Sequence, residues 1–227
     1  MMPVRNEAER YLNEVLADLS TYVDQIVILD DASTDATPYI CRSYPKVILH
    51  RNETPQFFVD ESALRAQLWE YTVAAQPDWV LAIDADEIFE ERMQHEIAGL
   101  IDQNEFDAVE FRLFDFWGCR THYRIDGGWN PWPKRVRMLF RYQPGKSYTW
   151  PQQRLHCGRI PLEARQEVRV YQSDLRVKHL GWANPDDIQR KYRRYREYYD
   201  DPHLQSVLVS TESIQLERWI EGKVLPF

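Results

Sequence analysis

Two aspartates stand two positions apart directly after an apolar run. Asp84 and Asp86 follow the segment WVLAI (79–83), and an uninterrupted apolar run of this length is typical of a strand buried on both faces. Side chains at positions i and i+2 of an extended chain point the same way, so we expect both carboxylates on one face. Two ionised carboxylates ~5 Å apart repel each other by roughly 3 kcal/mol at an effective dielectric constant of about 20. A shared proton or a divalent cation would relieve the repulsion, and oxygen ligands suit Mn²⁺ or Mg²⁺.

A purely structural explanation of the pair is also available. Asp86 would cap the helix that follows, and Asp84 would be solvated at the end of the strand. A D-x-D pattern alone is common by chance. Its position directly after a buried strand, in the third strand–helix unit of the chain, favours the metal site.

The elements that must position the pair alternate along the first half of the chain. In order, the patterns predict a helix at 6–20 with Asn6 as its N-cap, a strand at 25–29, a short helix ending near Ser43, a strand at 46–49, a helix at 61–75, a strand at 79–83 and a helix at 91–102. Such alternation predicts an α/β fold with a mostly parallel central sheet and helices on both faces. Asp30 and Asp31 follow the first strand and Arg51 the second. Because ligands bind outside the carboxyl ends of such strands, we expect one crevice lined mostly by carboxylates.

The second half has a different pattern. Strands are predicted at 107–114, 136–142, 167–172 and 175–180, with a helix at 185–201. The aromatic segment WGCRTHYRIDGGWNPWPK between the first two of these strands is predicted to be a long loop. Long loops inside compact domains are usually functional or mobile.

Composition excludes several classes of function. The net charge of −8 argues against a nucleic-acid partner, no apolar run approaches the ~18 residues of a membrane span, and the N-terminus lacks the apolar core of a signal peptide. Cys41, Cys119 and Cys157 lack CxxC spacing, so neither a disulfide framework nor a thiolate zinc site is expected. We predict a reduced, cytoplasmic protein. Peripheral association with the inner face of the membrane, through the basic, Tyr-rich helix around Lys191, stays open.

Several segments together resemble one enzyme family. The segments PVRNE, DDASTD and WVLAIDADEIFE occur in the order and spacing of the inverting glycosyltransferases of family 2, which have the Rossmann-like GT-A fold. Later segments, VRMLFR and VKHLGW, resemble bacterial members that build cell-surface polysaccharides. The resemblance implies a single GT-A domain over 1–227, with a nucleotide-sugar-binding half at 1–106 and an acceptor-binding half at 107–227.

The same resemblance implies a reaction and a set of site residues. The reaction would be metal-dependent, inverting transfer of a sugar from a nucleoside-diphosphate donor, UDP-linked, to a surface polysaccharide or lipid-linked glycan. The residues that match the family's donor-nucleotide positions are Arg5, Glu7, Asp31, Arg65 and Asp84, and those that would hold Mn²⁺ or Mg²⁺ are Asp86 and His179.

The catalytic base cannot be carried over directly. Relatives have an acid after a histidine in a segment like RLHCGRIP, where this chain has Cys157 after His156. Asp126 in the aromatic loop is therefore the candidate base, with Asp115 and Glu163 as alternatives. Asp126 could equally be a turn residue before the two glycines that follow it.

The aromatic loop also suggests an acceptor surface. Sugars present flat C–H faces that lie against Trp and Tyr rings, with polar groups at the edge. The candidates for the acceptor side are Trp117, Trp129 and Trp132, and core packing is the alternative explanation for aromatics in this region.

Two departures from the family pattern keep other functions open. Only Met1 and Met2 precede Pro3, so the first strand is either cut short or its start has been placed too late, and without it one wall of the nucleotide pocket would be incomplete. Together with Cys157, this favours a degenerate domain that binds sugar nucleotides without turnover. A phosphatase of the haloacid-dehalogenase type also uses D-x-D and Mg²⁺, but it requires Thr or Val where this chain has Ile88.

Overall fold

The structure is a computed structural model that describes residues 1–166, 168–198 and 214–223. Its helices are α1 (Leu12–Leu19), α2 (Thr37–Arg42), α3 (Glu61–Ala74), α4 (Met93–Ile101) and α5 (Pro185–Tyr198). Its strands are β1 (Met2–Val4), β2 (Ile26–Asp30), β3 (Val47–Arg51), β4 (Trp79–Leu81), β5 (Glu87–Phe89), β6 (Ala108–Asp115), β7 (His122–Arg124), β8 (Val136–Arg141), β9 (Val170–His179) and β10 (Leu216–Arg218).

The central strands form two sheets, which together make one curled surface. A parallel sheet has the order β1–β2–β3, and a mixed sheet has the order β4–β8–β6–β9–β5, while β7 pairs separately with β10. Met1 joins the two sheets, because its nitrogen donates to the carbonyl oxygen of Leu81 at 2.6 Å and its own carbonyl accepts from the Ile83 N–H at 3.2 Å. In parallel pairing, one residue forms hydrogen bonds with two residues of the neighbouring strand that are spaced two positions apart.

The parallel part of the sheet is covered on both faces, as an α/β fold requires. Alternate residues of β2 point to opposite sides: Ile26 and Ile28 pack with the apolar face of α1, whereas Val27 and Leu29 pack against α3. The α/β prediction is therefore confirmed. The strands added beyond β4 include antiparallel pairs, so the sheet as a whole is mixed.

The aspartate pair lies in a turn rather than inside a strand. β4 ends at Leu81, the backbone turns with a 3.1 Å hydrogen bond from the Glu87 N–H to the Asp84 carbonyl, and β5 begins at Glu87. The apolar run predicted a strand to Ile83, two residues beyond the end of β4. No pattern predicted β5, because a three-residue strand of Glu, Ile and Phe has no periodic signal of its own.

Other boundaries also differ from the predictions. α1 begins at Leu12 without Asn6 as its cap, because Asn6 has a φ of 53° and its side chain instead accepts from the Thr34 N–H at 2.8 Å. β9 is one continuous strand where two strands were predicted. Its pairing with β6 shifts register at the polar residues in the middle of β9. The first strand does form, as β1.

The aromatic loop contains short regular elements. It includes β7 and a 3₁₀ helix, Gly127–Trp129. α5 begins at Pro185 as predicted, and residues 199–201 of the predicted helix lie outside the described residues. Within the described ranges, no helix is long and apolar enough to cross a membrane. The division into one domain with two functional halves stays a prediction.

Candidate active site

The position of β9 in the sheet brings His179 close to Asp115 and Asp86, all three of which the sequence named as candidates. β9 lies between β6 and β5, so that His179 is paired with Asp115 on one side and with Glu87 on the other. His179 Nδ1 lies 2.5 Å from Asp115 Oδ1, and His179 Nε2 lies 3.6 Å from Asp86 Oδ2. Residues from the two halves of the chain therefore meet at the carboxyl end of β4, where the sequence predicted a site.

The imidazole of His179 is held between charges of both signs. Burial and the nearby Lys191 ammonium lower its pKa, but the Asp86 and Asp115 carboxylates outweigh them and raise the pKa to about 9. Without a ligand at Nε2, the imidazole is therefore protonated at neutral pH.

Asp86 is surrounded by cationic side chains. Its Oδ2 atom lies 3.4 Å from Arg10 Nη2 and 3.5 Å from Lys191 Nζ, in addition to the His179 contact. Burial raises the pKa of Asp86, but Lys191, His179 and Arg10 outweigh it and hold the pKa well below its usual value. Asp86 is therefore ionised over the physiological pH range.

Asp84 has separate partners. Its carboxylate lies 3.6 Å from Arg65 Nη1 and 3.4 Å from Arg159 Nη2, and 35% of the side chain stays exposed. Burial raises the pKa of Asp84, and the Arg159 and Arg65 guanidinium groups more than offset it, so that the pKa is lowered. The repulsion expected between Asp84 and Asp86 is thus relieved, in the ligand-free protein, by cations of the chain itself.

Two buried glutamates hold the arginines that face Asp84. Arg159 donates to both oxygens of Glu87, at 2.5 and 2.9 Å, and Arg65 Nε donates to Glu61 at 3.3 Å. Glu61 also accepts from the His156 N–H at 2.7 Å, which ties the HCG segment to the start of α3. The expected acid after His156 is absent there, and the Cys157 side chain is buried in the core.

Gly181 shows how tightly the Asp86 corner is built. A Cβ atom on Gly181 would overlap Lys191 Nζ and Asp86 Oδ2 and would lie 2.8 Å from His179 Nε2. A side chain at this position would force at least one of these charged side-chain ends to shift, because they converge on one small volume.

The residues at this corner fit a divalent cation that substrate completes. Among the described residues, no group of three or more His, Cys, Asp or Glu side chains could enclose a metal. Asp86 Oδ2 and His179 Nε2 are nevertheless 3.6 Å apart and face the same volume, so one ion could contact both. Ions such as Mg²⁺ are usually bound by one or two carboxylates together with substrate phosphates, and neutral imidazole suits Mn²⁺.

The segment after β1 contributes to the same corner. Arg10 Nη1 donates to both oxygens of Glu7 at 2.7 Å, so one guanidinium bridges Glu7 and Asp86. Burial raises the pKa of Glu7 to about 7, against the opposing effect of Arg10. Arg5, the other predicted donor residue of this segment, is exposed at the end of β1.

Asp31 is placed differently from Glu7. It is buried, its Oδ1 accepts from the Gln56 N–H at 2.8 Å, and its Oδ2 accepts from the Phe57 N–H at 3.0 Å. Asp31 therefore holds the 52–57 loop against the end of β2. The sequence pattern cannot distinguish a carboxylate that binds a ligand from one that orders a loop.

An aromatic cluster adjoins the corner through Trp182. The Trp117 and Trp182 rings are stacked with centroids 5.4 Å apart, Trp129 packs edge-on against both, and Lys191 Nζ lies 4.5 Å from the centre of the Trp182 ring. Arg124 lies over Trp117 and Trp129. Within the described part of the chain, two buried donors of this cluster, Arg124 Nη1 and Trp129 Nε1, have no hydrogen-bond partner.

Asp126 borders this aromatic cluster. Arg124 donates to both of its oxygens, at 2.8 and 2.7 Å, and these hydrogen bonds lower the pKa of Asp126. The other predicted acceptor residue, Trp132, packs edge-on against Phe114 and lies under Arg112.

The structure also shows contacts at the site that the sequence did not predict. Arg10 and Lys191 approach Asp86, and Arg159 approaches Asp84. Arg10 has one local signal, since it stands three residues after Glu7. Lys191 and Arg159 have no local sequence signal. Their proximity to Asp86 and Asp84 depends on how α5 and the 149–160 segment fold back over the sheet.

Comparisons with known proteins agree with this architecture. The family model described as glycosyl transferase family 2 matches residues 1–157. A TPR repeat-containing protein of Synechococcus elongatus is 32% identical over 194 residues, which are 84% of this chain and 43% of that protein. An uncharacterized protein of Mycobacterium bovis is 33% identical over 90 residues, 37% of this chain and 22% of that protein. The chain thus spans less than half the length of these curated relatives.

Solved structures show the same fold at low identity. TarS 1–349 of S. aureus in complex with UDP-GlcNAc superposes with a TM-score of 0.53 at 14% identity, over 92% of this chain and 69% of that chain. The mannosyltransferase PcManGT from Pyrobaculum calidifontis, in complex with GDP-Man and Mn²⁺, gives 0.52 at 15% identity, over 91% and 66%. The predicted GT-A fold is confirmed. Because the family model matches more than half of this chain, the chain belongs to glycosyl transferase family 2.

Proposed function

We propose that this chain catalyses metal-dependent, inverting transfer of a sugar from a nucleoside-diphosphate donor, UDP-linked, to a surface-polysaccharide or lipid-linked glycan. The observation that carries the proposal is the convergence of Asp86 and His179 beside Gly181, at the carboxyl end of β4 in a family 2 chain. The TarS and PcManGT complexes contain UDP-GlcNAc and GDP-Man with Mn²⁺, respectively, which supports a nucleotide-sugar donor and a divalent ion.

Asp86 and His179 would hold Mn²⁺ or Mg²⁺ together with the donor diphosphate. When bound, the ion neutralises charge that develops on the leaving nucleoside diphosphate. Asp115 has a positioning role, because its 2.5 Å hydrogen bond fixes the proton of His179 on Nδ1 and turns Nε2 towards Asp86. An ion at His179 Nε2 would require the neutral form of the imidazole.

The donor nucleotide would lie along the ends of β1, β2 and β4. We assign it to the five family positions, which are Arg5, Glu7, Asp31, Arg65 and Asp84. Asp84 is the most exposed carboxylate of the aspartate pair, and Arg65 orients it. Asp31 acts by ordering the 52–57 loop against the site.

The acceptor would approach over the aromatic cluster. Trp129 is half-buried in this cluster, and the unpartnered donors Trp129 Nε1 and Arg124 Nη1 suit sugar oxygens. Trp132 would extend this surface at its edge. A polar acceptor satisfies two buried donors that the described part of the protein leaves unsatisfied.

Asp126 is the proposed base. Its Oδ2 accepts one hydrogen bond from Arg124, which leaves a second lone pair for the acceptor hydroxyl, and its low pKa keeps it ionised. As the hydroxyl oxygen bonds to the anomeric carbon, its proton passes to Asp126 and the bond from that carbon to the diphosphate breaks. One displacement inverts the centre.

The proposal is tested by screening a panel of nucleotides and nucleotide sugars by thermal shift, with and without Mn²⁺, and by measuring release of the nucleoside diphosphate. A donor that stabilises the protein only with Mn²⁺, and that is turned over, supports the proposal. Absence of any Mn²⁺-dependent shift across the panel contradicts it.

A second candidate is a domain that binds sugar nucleotides without turnover. The observation in its favour is the buried thiol of Cys157 at the position where relatives have an acid. Donor binding without release of nucleoside diphosphate, for every acceptor tried, would favour this function. The phosphatase alternative has lost its support, because the family model matches residues 1–157 as a glycosyltransferase.

A further inference from the structure

The first turns of α5 pack into the active-site corner. Asp187 is 3% exposed, and its two carboxylate oxygens accept from Arg10 Nε and from the Tyr11 hydroxyl, each at 3.1 Å. Residues four apart on a helix lie on the same face, so Lys191 faces the site as Asp187 does. The ammonium of Lys191 reaches 3.5 Å from Asp86 Oδ2 and 3.3 Å from His179 Nε2.

The atoms that Lys191 contacts are those that would bind a metal. The ammonium lies beside Asp86 Oδ2 and His179 Nε2, and all three crowd the same side of Gly181. A divalent ion bound by both ligands would be within a few ångströms of the ammonium, and like charges at that separation in a buried site repel strongly. Lysine and metal therefore cannot both occupy this position.

We propose that Lys191 is the resident cation of this site in the donor-free protein, and that it exchanges places with the divalent ion when the donor binds. The inference rests on the proposed function, since it needs a metal–diphosphate complex at Asp86. A lysine suits the exchange, because its ammonium is a compact charge on a flexible four-carbon stem that can move away without unfolding α5.

The exchange makes metal binding depend on the donor. Metal alone must displace Lys191 from a carboxylate and leave the ammonium without that partner, whereas metal with a diphosphate brings phosphate oxygens that Lys191 can contact instead. The ion and the nucleotide therefore bind with positive coupling.

The test measures Mn²⁺ binding without nucleotide, by calorimetry, on the full chain. Lys191→Met keeps the apolar stem over Trp182 and removes the charge, and Lys191→Gln is a second variant should the first misfold. Arg190→Met is the matched control, because Arg190 is adjacent, exposed and paired with Asp187 on the same helix. Asp86→Asn reports whether Mn²⁺ binds at this corner.

We expect Lys191→Met to bind Mn²⁺ alone at least about tenfold more tightly than wild type, while its affinity for UDP in saturating Mn²⁺ falls. Arg190→Met should match wild type in both measurements. Equal or weaker Mn²⁺ binding by Lys191→Met, with Asp86→Asn still losing the ion, would overturn the exchange and leave the metal site intact. If Asp86→Asn binds Mn²⁺ as wild type does, both the exchange and the proposed metal site are wrong.

Discussion

The Nε2 atom of His179 lies 3.6 Å from the Oδ2 atom of Asp86, although the two residues come from opposite halves of the chain. The β5–β9 pairing establishes this contact, because it places His179 opposite Glu87, the residue after Asp86. A 2.7 Å hydrogen bond from the Leu180 N–H to the Asp86 carbonyl closes the same corner. The sheet register therefore determines where a metal and its diphosphate would bind.

Substitution of Gly181 tests how closely this corner is packed. Gly181→Ala should lower Mn²⁺-dependent UDP affinity by about tenfold or more, because the new Cβ would displace Asp86, His179 or Lys191. Gly99→Ala in α4 is the control, since a Cβ there meets nothing within 4 Å. It should leave UDP affinity unchanged and stabilise the helix by about 0.5–1 kcal/mol. Wild-type affinity in Gly181→Ala, measured by calorimetry, would show that the corner tolerates a side chain.

A buried ion pair holds β9 at its place beside β5. Arg176 Nη2 donates to Glu90 Oε2 at 2.6 Å, and the two side chains are 2% and 0% exposed. Arg176→Met should lower the free energy of unfolding by about 3 kcal/mol or more, because it leaves Glu90 buried without that partner. Urea unfolding measures the change.

Arg169→Met is the matched control for Arg176→Met. Arg169 also makes two hydrogen bonds to one carboxylate, that of Asp107, but its side chain is 60% exposed and solvent screens the interaction. Its loss should change the urea midpoint little. Similar midpoints for the two variants would contradict the structural role assigned to Arg176.

The three cysteines should differ sharply in alkylation. Burial raises the pKa of Cys119, but contacts with Thr121 and His122 outweigh it and lower the pKa to about 7. Cys41 and Cys157 are buried with raised pKa values, to about 12 for Cys41. Because the thiolate is the reactive form, iodoacetamide at pH 7 should label Cys119 first, with a rate that rises through pH 7 and then levels off.

Peptide mapping by mass spectrometry measures this selectivity. Thr121→Val removes the hydroxyl 3.5 Å from the Cys119 sulfur, so the midpoint of the pH–rate curve should move upwards. Equal labelling of all three cysteines in the folded protein, or an unchanged midpoint in Thr121→Val, would refute the assignment.

The proposed base is tested by an isosteric change. Asp126→Asn should stop sugar transfer while donor binding persists, because an amide cannot accept the acceptor's proton. Asp107→Asn removes a comparable bidentate arginine pair at the opposite end of β6 from Asp115 and controls for the lost ion pair. Full transfer activity in Asp126→Asn would eliminate Asp126 and leave Asp115 and Glu163 as the alternatives.

The sequence predicted where Asp84 and Asp86 lie in the fold better than it predicted their contacts. Apolar strands ending in acids correctly indicated the sheet edge where Asp84 and Asp86 lie, because strand ends in an α/β fold converge by geometry. The proximity of His179 to Asp86 was expected from the family resemblance alone. Composition and periodicity contain no information on the β5–β9 register that produces it.

Two cations of the site, Arg159 and Lys191, had no signal of their own in the sequence pattern, whereas Arg65 was predicted from the family resemblance. Arg159 and Lys191 lie on segments that approach Asp84 and Asp86 only in three dimensions, and an arginine or lysine in a polar stretch is usually solvated. Asp31 shows the converse difficulty. The family resemblance implied that it contacts the nucleotide, which stays a prediction, and the structure shows its carboxylate accepting from two backbone N–H groups of the 52–57 loop.

The most direct test of the account is the Mn²⁺ dependence of UDP binding in Asp86→Asn, measured by calorimetry beside wild type. We expect Mn²⁺ to strengthen UDP binding to the wild-type protein by about tenfold or more, and to have no effect on UDP binding to Asp86→Asn. Circular dichroism establishes that the variant is folded. If Mn²⁺ strengthens UDP binding equally in both proteins, Asp86 does not hold the ion and the proposed metal site is wrong.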